Sequence, residues 1–457
     1  MIKWLVFTDR VIKMRLVPKS TVISFHNLNL VVVTQFEATD ARRCFPCFDE
    51  PNLKATFQVT INADQGLTAL SNMPVIGEGE VKVNGKTKKQ YVFDTTPIMS
   101  TYLLAMAVGE FDYIQSKAVP KSPKGAKPID VRVFTLKGQS NQGQFGLDVA
   151  VKTLEFFSSY FDIAYPLPKM DLIAIPDFSA GAMENWGLVT YREIYLLYDE
   201  KTTSSSVKQR IAYVVGHELA HQWFGNLVTM DWWSELWLNE GFATFVGWMA
   251  VDNLFPEWKV WTQFVTNDYS HGLALDCLRS SHRIFFKFNH LAIEVEVQSP
   301  SEINQIFDAI SYSKGASVIR MLNSFLGQET FMNGVRLYLK KHAYSNATTL
   351  DLWSSLKEAS GIDVATLMFT WTRKMGYPMV TVVCEQYDSS QKTMTLTLRQ
   401  QRYLKSGDLS PAEESESPIW WIPIGVVTNM SPKKPLSLIL TEKEGTITFV
   451  SFIFLTH

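Results

Sequence analysis

The chain has 457 residues, 46% of them hydrophobic and 19% charged, which excludes an extended disordered chain and suits a folded protein of two or three domains. Its 43 basic and 45 acidic residues leave a net charge of −2, so no strong field favours nucleic acid or an anionic membrane. No stretch approaches the roughly 20 apolar residues of a membrane span, and four cysteines are too few for a disulfide framework at this length.

In chain order, the opening "MIKWLVFTDRVIKMRLV" is basic, and Asp9-Arg10 break its apolar run. No small-residue cleavage site follows, so it makes a poor signal peptide and a cytoplasmic location is expected. From about Leu28 to Phe134, segments such as "LNLVVVTQF", "ATFQVTINA", "KKQYVFDTT" and "IDVRVFT" are rich in β-branched and aromatic residues. Turn formers separate them, which predicts an all-β domain over 1–135. Within it, Cys44 and Cys47 form a C-x-x-C. A zinc knuckle needs a second pair, and Cys277 and Cys384 stand alone, so buried thiols in a reducing compartment are the expectation.

From Gly146 the period changes. "GLDVAVKTLEFFSSYF" places apolar residues three and four apart, as one helix face requires. Further helices are predicted over 206–224, 236–251, 257–264, 314–325, 329–342 and 349–359, giving a mostly helical domain over 136–376. After Trp371 alternating strands return, "PMVTVVCEQ", "TMTLTLRQQ" and "WWIPIGVVT" among them, and a small sheet domain is expected over 377–457. The whole reads as an α+β multidomain chain.

The chemistry concentrates in "VVGHELAHQWFGNL", Val214 to Leu227. Residues i and i+4 of an α-helix lie about 40° apart, so His217 and His221 leave one face and can hold one cation. Glu218 is rotated roughly 100° from His217 and can reach a water beside that cation. A catalytic zinc usually takes three protein ligands and keeps one open position. Glu240, in "SELWLNEGFATF", is the candidate third ligand. The intervening residues 222–239 allow a connection and a second helix. Alone, a His-x-x-x-His pair on an amphipathic helix is more often core or surface than ligand. Here the flanking "AYVV" and "QWF" are apolar, and buried histidines and glutamates without a cation carry a large desolvation cost.

"GAMENWG" (Gly181 to Gly187), "HELAH" and "WLNEGFA" together resemble the gluzincin aminopeptidases, the family of aminopeptidase N and the puromycin-sensitive enzyme. "TQFEATDARRCFPCFDEP" and "FDAISYSKGASVIRML" are most similar to the puromycin-sensitive branch. The resemblance implies a partial N-terminal β domain, a thermolysin-like catalytic domain and a C-terminal β-sandwich. It implies one Zn2+ per chain, held by His217, His221 and Glu240, with Glu218 as general base. Glu184 and Glu37 would bind the free α-amino group of a peptide, and Gly181, Ala182, Met183 and Asn185 would line its backbone. Tyr312 matches the family's catalytic tyrosine, and Phe307 is expected near the site. The implied activity is removal of N-terminal residues from peptides.

The sequence also departs from that family. Residues 1–32 do not resemble it, which predicts an incomplete first sheet with an open edge. "RIFFKFNHLA", 283–292, replaces an expected proline and reads as an insert. The large helical C-terminal domain of the family is expected to be absent. The alternative function is therefore an impaired homologue that retains zinc and peptide binding.

Overall fold

The computed structural model describes residues 4–7, 21–26, 29–278, 292–407, 409–428 and 431–450. Most of the proposed insert therefore lies outside the described residues.

The N-terminal part holds two four-stranded sheets. One orders Trp4–Phe7, Gln58–Ala63, Lys86–Thr95 and Val75–Val83 side by side, with Trp4–Phe7 parallel to its neighbour. The other orders Thr21–His26, Asn29–Thr34, Met106–Gly109 and Thr68–Ser71. Segments 4–7 and 21–26, unlike the family in sequence, each add an outermost strand, so each sheet is extended but still ends on a strand paired on one side only. Alternation does its predicted work over part of each strand, since Val59 and Ile61, like Val31 and Val33, are buried on either side of a less buried residue.

A third sheet has five strands, ordered Ala182–Met183, Leu188–Arg192, Lys169–Ile175, Ile129–Leu136 and Phe111–Ala118. Strands on both sides of residue 135 share it, and three of the five fall within the region expected to be helical. Its central pairs are parallel, and the first of them, Ile129–Leu136 with Lys169–Ile175, is joined over α1 (Gln144–Phe161). Parallel strands buried on both faces read as continuous apolar runs, not alternation. Lys169–Ile175 is buried at every position, which is why the sequence pattern hides it. Lys169 itself is neutralised in place. Its Nζ lies 2.7 Å from Asp171 and donates to the Ser71 and Gly187 carbonyls, tying this sheet to the N-terminal layer.

The helices that follow are α2 (Ser205–Ala220), α3 (Trp237–Leu254), α4 (Val260–Phe264), α5 (Ser270–Asp276), α6 (Pro300–Ile303), α7 (Gly315–Leu326), α8 (Gln328–Lys341), α9 (Thr349–Ser360) and α10 (Val364–Arg373). Most match the apolar spacing. α2 stops short of the predicted residue 224, because 221–228 folds back on itself: the Asn226, Leu227 and Val228 amides donate to the His221, Gln222 and Trp223 carbonyls. The predicted helix over 257–264 is a 3-10 turn plus α4, and a π turn, Val265–Tyr269, carries the chain on into α5. α5, α6 and α10 were not predicted.

The C-terminal strands form a three-stranded sheet (Pro378–Asp388, Thr393–Arg402, Glu444–Val450) and a two-stranded one (Ile422–Thr428, Ser431–Leu440). Leu398, Trp420, Ile422, Leu440 and Ile447 make a small core of their own. Pro378–Asp388 is an edge strand with Val380, Val382 and Val383 exposed. The cysteine expectation is corrected in part: all four are free, but only Cys277 is buried, while Cys44 and Cys384 are exposed and Cys47 is partly so. The C-x-x-C lies on a turn with Cys44 exposed, while Phe45 and Cys47 rest against the edge of the main core. Among the described residues no helix is long and apolar enough to cross a membrane.

Candidate metal centre

α2 begins on Ser204, whose side chain accepts the Val207 amide, and from Ile211 to Ala220 every residue is buried. It is a core helix, so its histidines cannot be a solvated stripe. α3 crosses it at a glycine. A Cβ on Gly247 would fall 3.0 Å from the His217 nitrogen and 3.1 Å from its Cα. A second glycine, Gly241, sets α3 against the turn that carries Tyr312, where an added Cβ would meet Gly315 backbone at 3.1 Å. Glu240 directly precedes Gly241, so the close approach there helps fix where its carboxylate stands.

Three donor atoms converge as a result. His217 Nε2 and His221 Nε2 are 3.1 Å apart, and Glu240 Oε2 is 3.3 Å from the first and 3.4 Å from the second. Zinc bound tetrahedrally at about 2.0–2.1 Å places neighbouring donors about 3.3 Å apart, so this triangle fits it. The tautomer is set as well. His221 Nδ1 lies 2.9 Å from the Phe224 carbonyl, to which it can only donate, so Nε2 keeps its lone pair for a cation. His217 has no such orienting partner on Nδ1; its ring is held by Tyr213 at 5.9 Å and by Tyr312, stacked at 6.0 Å and 10°. A second grouping, Glu184 with Glu218 and His221, also brings three donors together. It would meet His221 through Nδ1, 4.0 Å from Glu184 and already committed to Phe224, so the first triangle is the better metal site.

The electrostatics ask for cations. Burial, reinforced by neighbouring carboxylates, raises the Glu37 and Glu218 carboxyls well above their ordinary range, and burial raises Glu184. Glu37 Oε1, Glu184 Oε1 and Glu218 Oε2 are buried without a hydrogen-bond partner. Burial also opposes charge on Glu240, but the two imidazoles outweigh it and take that carboxyl down to about 2. Burial lowers His217 to about 4. For His221 burial acts in the same sense, yet Glu184 and Glu240 overcome it and the group stays charged well above its ordinary 6.5. One proton thus stands where a metal ion would go.

Around the triangle the structure gathers most of the expected residues. Ala182 and Met183 form the edge strand of the five-stranded sheet, paired with Tyr191 and Thr190. Gly181 lies against the Tyr195 ring. The Glu184 carbonyl accepts from Asn226 at 2.9 Å and Gln222 at 3.3 Å, both just past the metal helix. Glu37, following the strand Asn29–Thr34, is near enough to Glu184 and Glu240 for their charges to add to burial in raising its carboxyl. Asn185 is turned into the sheet, donating to Thr190 at 3.3 Å. Phe307 packs on Trp233, which in turn touches Tyr102. Tyr102 was not foreseen; its hydroxyl accepts from Asn239, beside Glu240, and donates to the Gly225 carbonyl, each at 3.4 Å. Nor were Gln222 and Asn226 foreseen, although both belong to the very segment quoted for its histidines.

Comparison with known proteins agrees with this geometry. The model of the peptidase family M1 domain matches residues 145–371, and that of the peptidase M1 N-terminal domain matches 24–103. The chain is 52% identical to aminopeptidase M1 of Arabidopsis thaliana over 415 residues, 91% of this chain and 43% of that protein. It is 55% identical to aminopeptidase M1-A of Oryza sativa subsp. japonica over 377 residues, 82% of this chain and 40% of that one. Over 416 residues it is 48% identical to the puromycin-sensitive aminopeptidase of Caenorhabditis elegans, 91% of this chain and 41% of the relative. The chain spans less than half the length of each.

Proposed function

The chain belongs to the peptidase M1 family, and on that footing we propose that it is a zinc aminopeptidase, removing the first residue of peptides. The observation that carries this is the triangle of His217, His221 and Glu240 at 3.1, 3.3 and 3.4 Å. A zinc ion held there supplies Lewis acidity toward the scissile carbonyl and the attacking water.

The chain's own groups do the rest. Glu218 takes a proton from the attacking water and returns it to the leaving amine. Its raised carboxyl, pushed up by burial, suits both halves of that exchange. Tyr312, its ring parallel to that of His217, donates a hydrogen bond to the carbonyl oxygen as negative charge develops there. Glu184 and Glu37 bind the α-ammonium, which supplies the positive charge their buried oxygens lack and sets the cut at one residue. The edge strand Ala182–Met183, with Gly181 before it, offers backbone groups to the substrate chain, and Asn185 holds the turn that follows. Four free cysteines support a reducing, cytoplasmic setting.

An aminoacyl fluorogenic amide tests the reading. Cleavage is expected with zinc, is lost with chelator, and fails for the N-acetylated amide. Cleavage of the acetylated form at an equal rate would overturn the exopeptidase assignment. Zinc and peptide binding without turnover would leave a binding fragment instead.

A further inference from the structure

Tyr312 lies in a π turn, Ile310–Lys314, and the π turn Val265–Tyr269 packs against it. The Ser313 and Lys314 amides share the Ala309 carbonyl at 3.0 and 2.9 Å, so one extra residue enters the helix at this point. Each residue of register turns a helix by about 100°, so relaxation to plain α geometry would swing the Tyr312 ring away from His217. Something must hold the wider turn.

Asp268 is placed to do so. Its Oδ1 accepts the Ser313 hydroxyl at 3.2 Å, and its Oδ2 accepts the Trp248 indole N–H at 2.7 Å. Trp248 belongs to α3, the helix of Glu240, and its ring lies 4.4 Å from Tyr213, which packs on His217. One carboxylate therefore ties the neighbour of Tyr312 to the helix carrying a metal ligand. On the far side of the turn, Lys314 pairs with Asp276 at 2.8 Å, and Asp276 accepts the Gly376 amide at 2.7 Å. The turn is thereby anchored through the side chains of Ser313 and Lys314, and only Asp268 joins it to α3 by a side-chain hydrogen bond among the described contacts.

We propose that Asp268 is a positioning residue that, through Ser313, sets the Tyr312 hydroxyl opposite the His217–His221–Glu240 cluster. The proposal rests on the aminopeptidase reading above. Asp268 touches neither substrate nor metal ligand; it governs where Tyr312 stands.

The full chain carries the test, as D268A and D268N, each alone and combined with Y312F. With an aminoacyl fluorogenic amide, D268A is expected to lower kcat about 10- to 100-fold with KM nearly unchanged, the cost of an ångström-scale misplacement. D268N, which keeps one acceptor oxygen, recovers most of the loss. In the Y312F background D268A has no further effect; equal losses in both backgrounds would overturn the proposal. Crystal structures of the zinc-loaded wild type, D268A and D268N read the same point without turnover. Tyr312 is expected to move by about 1 Å in D268A while His217, His221 and Glu240 keep their places. An unmoved Tyr312 overturns the proposal. Wild-type activity in Y312F, or no turnover in the wild type, defeats the functional reading instead, and the crystallographic comparison then decides Asp268 alone.

Discussion

A methyl group on Gly247 would stand 3.0 Å from the backbone nitrogen of His217. The contact is backbone on backbone, with no flexible side chain to yield. Gly247→Ala is therefore expected to force α2 and α3 apart, at about 1–3 kcal/mol, the usual cost of overpacking. Because the helices carry different ligands, zinc affinity falls with stability. Denaturant midpoints, together with zinc competition against a chromogenic chelator, check both. A stable variant with unchanged affinity would separate helix spacing from metal grip.

Glu218→Gln preserves size and the three ligands but removes the proton acceptor. It is expected to keep full zinc content and to lose about 10²- to 10⁴-fold in kcat. Metal analysis and steady-state kinetics on the same preparation provide the measurement. Unchanged kcat would remove Glu218 from the proton path.

Metal loading should release a proton. In the metal-free protein Glu184 and Glu240 keep His221 charged well above its ordinary 6.5, burial notwithstanding. Zinc needs the neutral ring, so its binding displaces that proton at neutral pH. Where one proton leaves, apparent affinity rises about tenfold per pH unit and flattens once the pH passes the raised value. A pH indicator in weak buffer reads the release during a zinc titration. Removing the ring by His221→Gln abolishes the release along with tight binding.

Glu184→Ala leaves a buried ammonium with one carboxylate fewer. Losing a charge-assisted hydrogen bond costs about 1.5–3 kcal/mol, so kcat/KM for free-amine substrates should fall about 10- to 150-fold. The N-acetylated analogue gains nothing in relative terms unless the ammonium contact governs register. The ratio of the two substrates is therefore the informative number.

How much was visible beforehand depended on whether a residue acts through local spacing. His217 and His221 repeat at one helical turn, and Glu240 heads the next helix, so the cluster was legible. Glu184, Glu37 and Tyr312 were legible only through family likeness, since nothing in their own spacing points to a site. Asp268 and Tyr102 were not legible at all, because their partners Ser313 and Asn239 lie 45 and 137 residues away. Long-range side-chain pairing leaves no period in the sequence. The same cause hid the five-stranded sheet, whose fully buried strand Lys169–Ile175 lacks alternation. It also misled the cysteine expectation, where a short apolar-looking motif turned out to border an exposed Phe48.

The edge strand Pro378–Asp388 carries the exposed thiol of Cys384 among exposed valines. Unpaired backbone groups there can template a second molecule, and an accessible sulfur can weld the two covalently in air. Sizing columns run without reductant will then report storage chemistry, and a dimer band should be believed only if it survives a Cys384→Ser exchange.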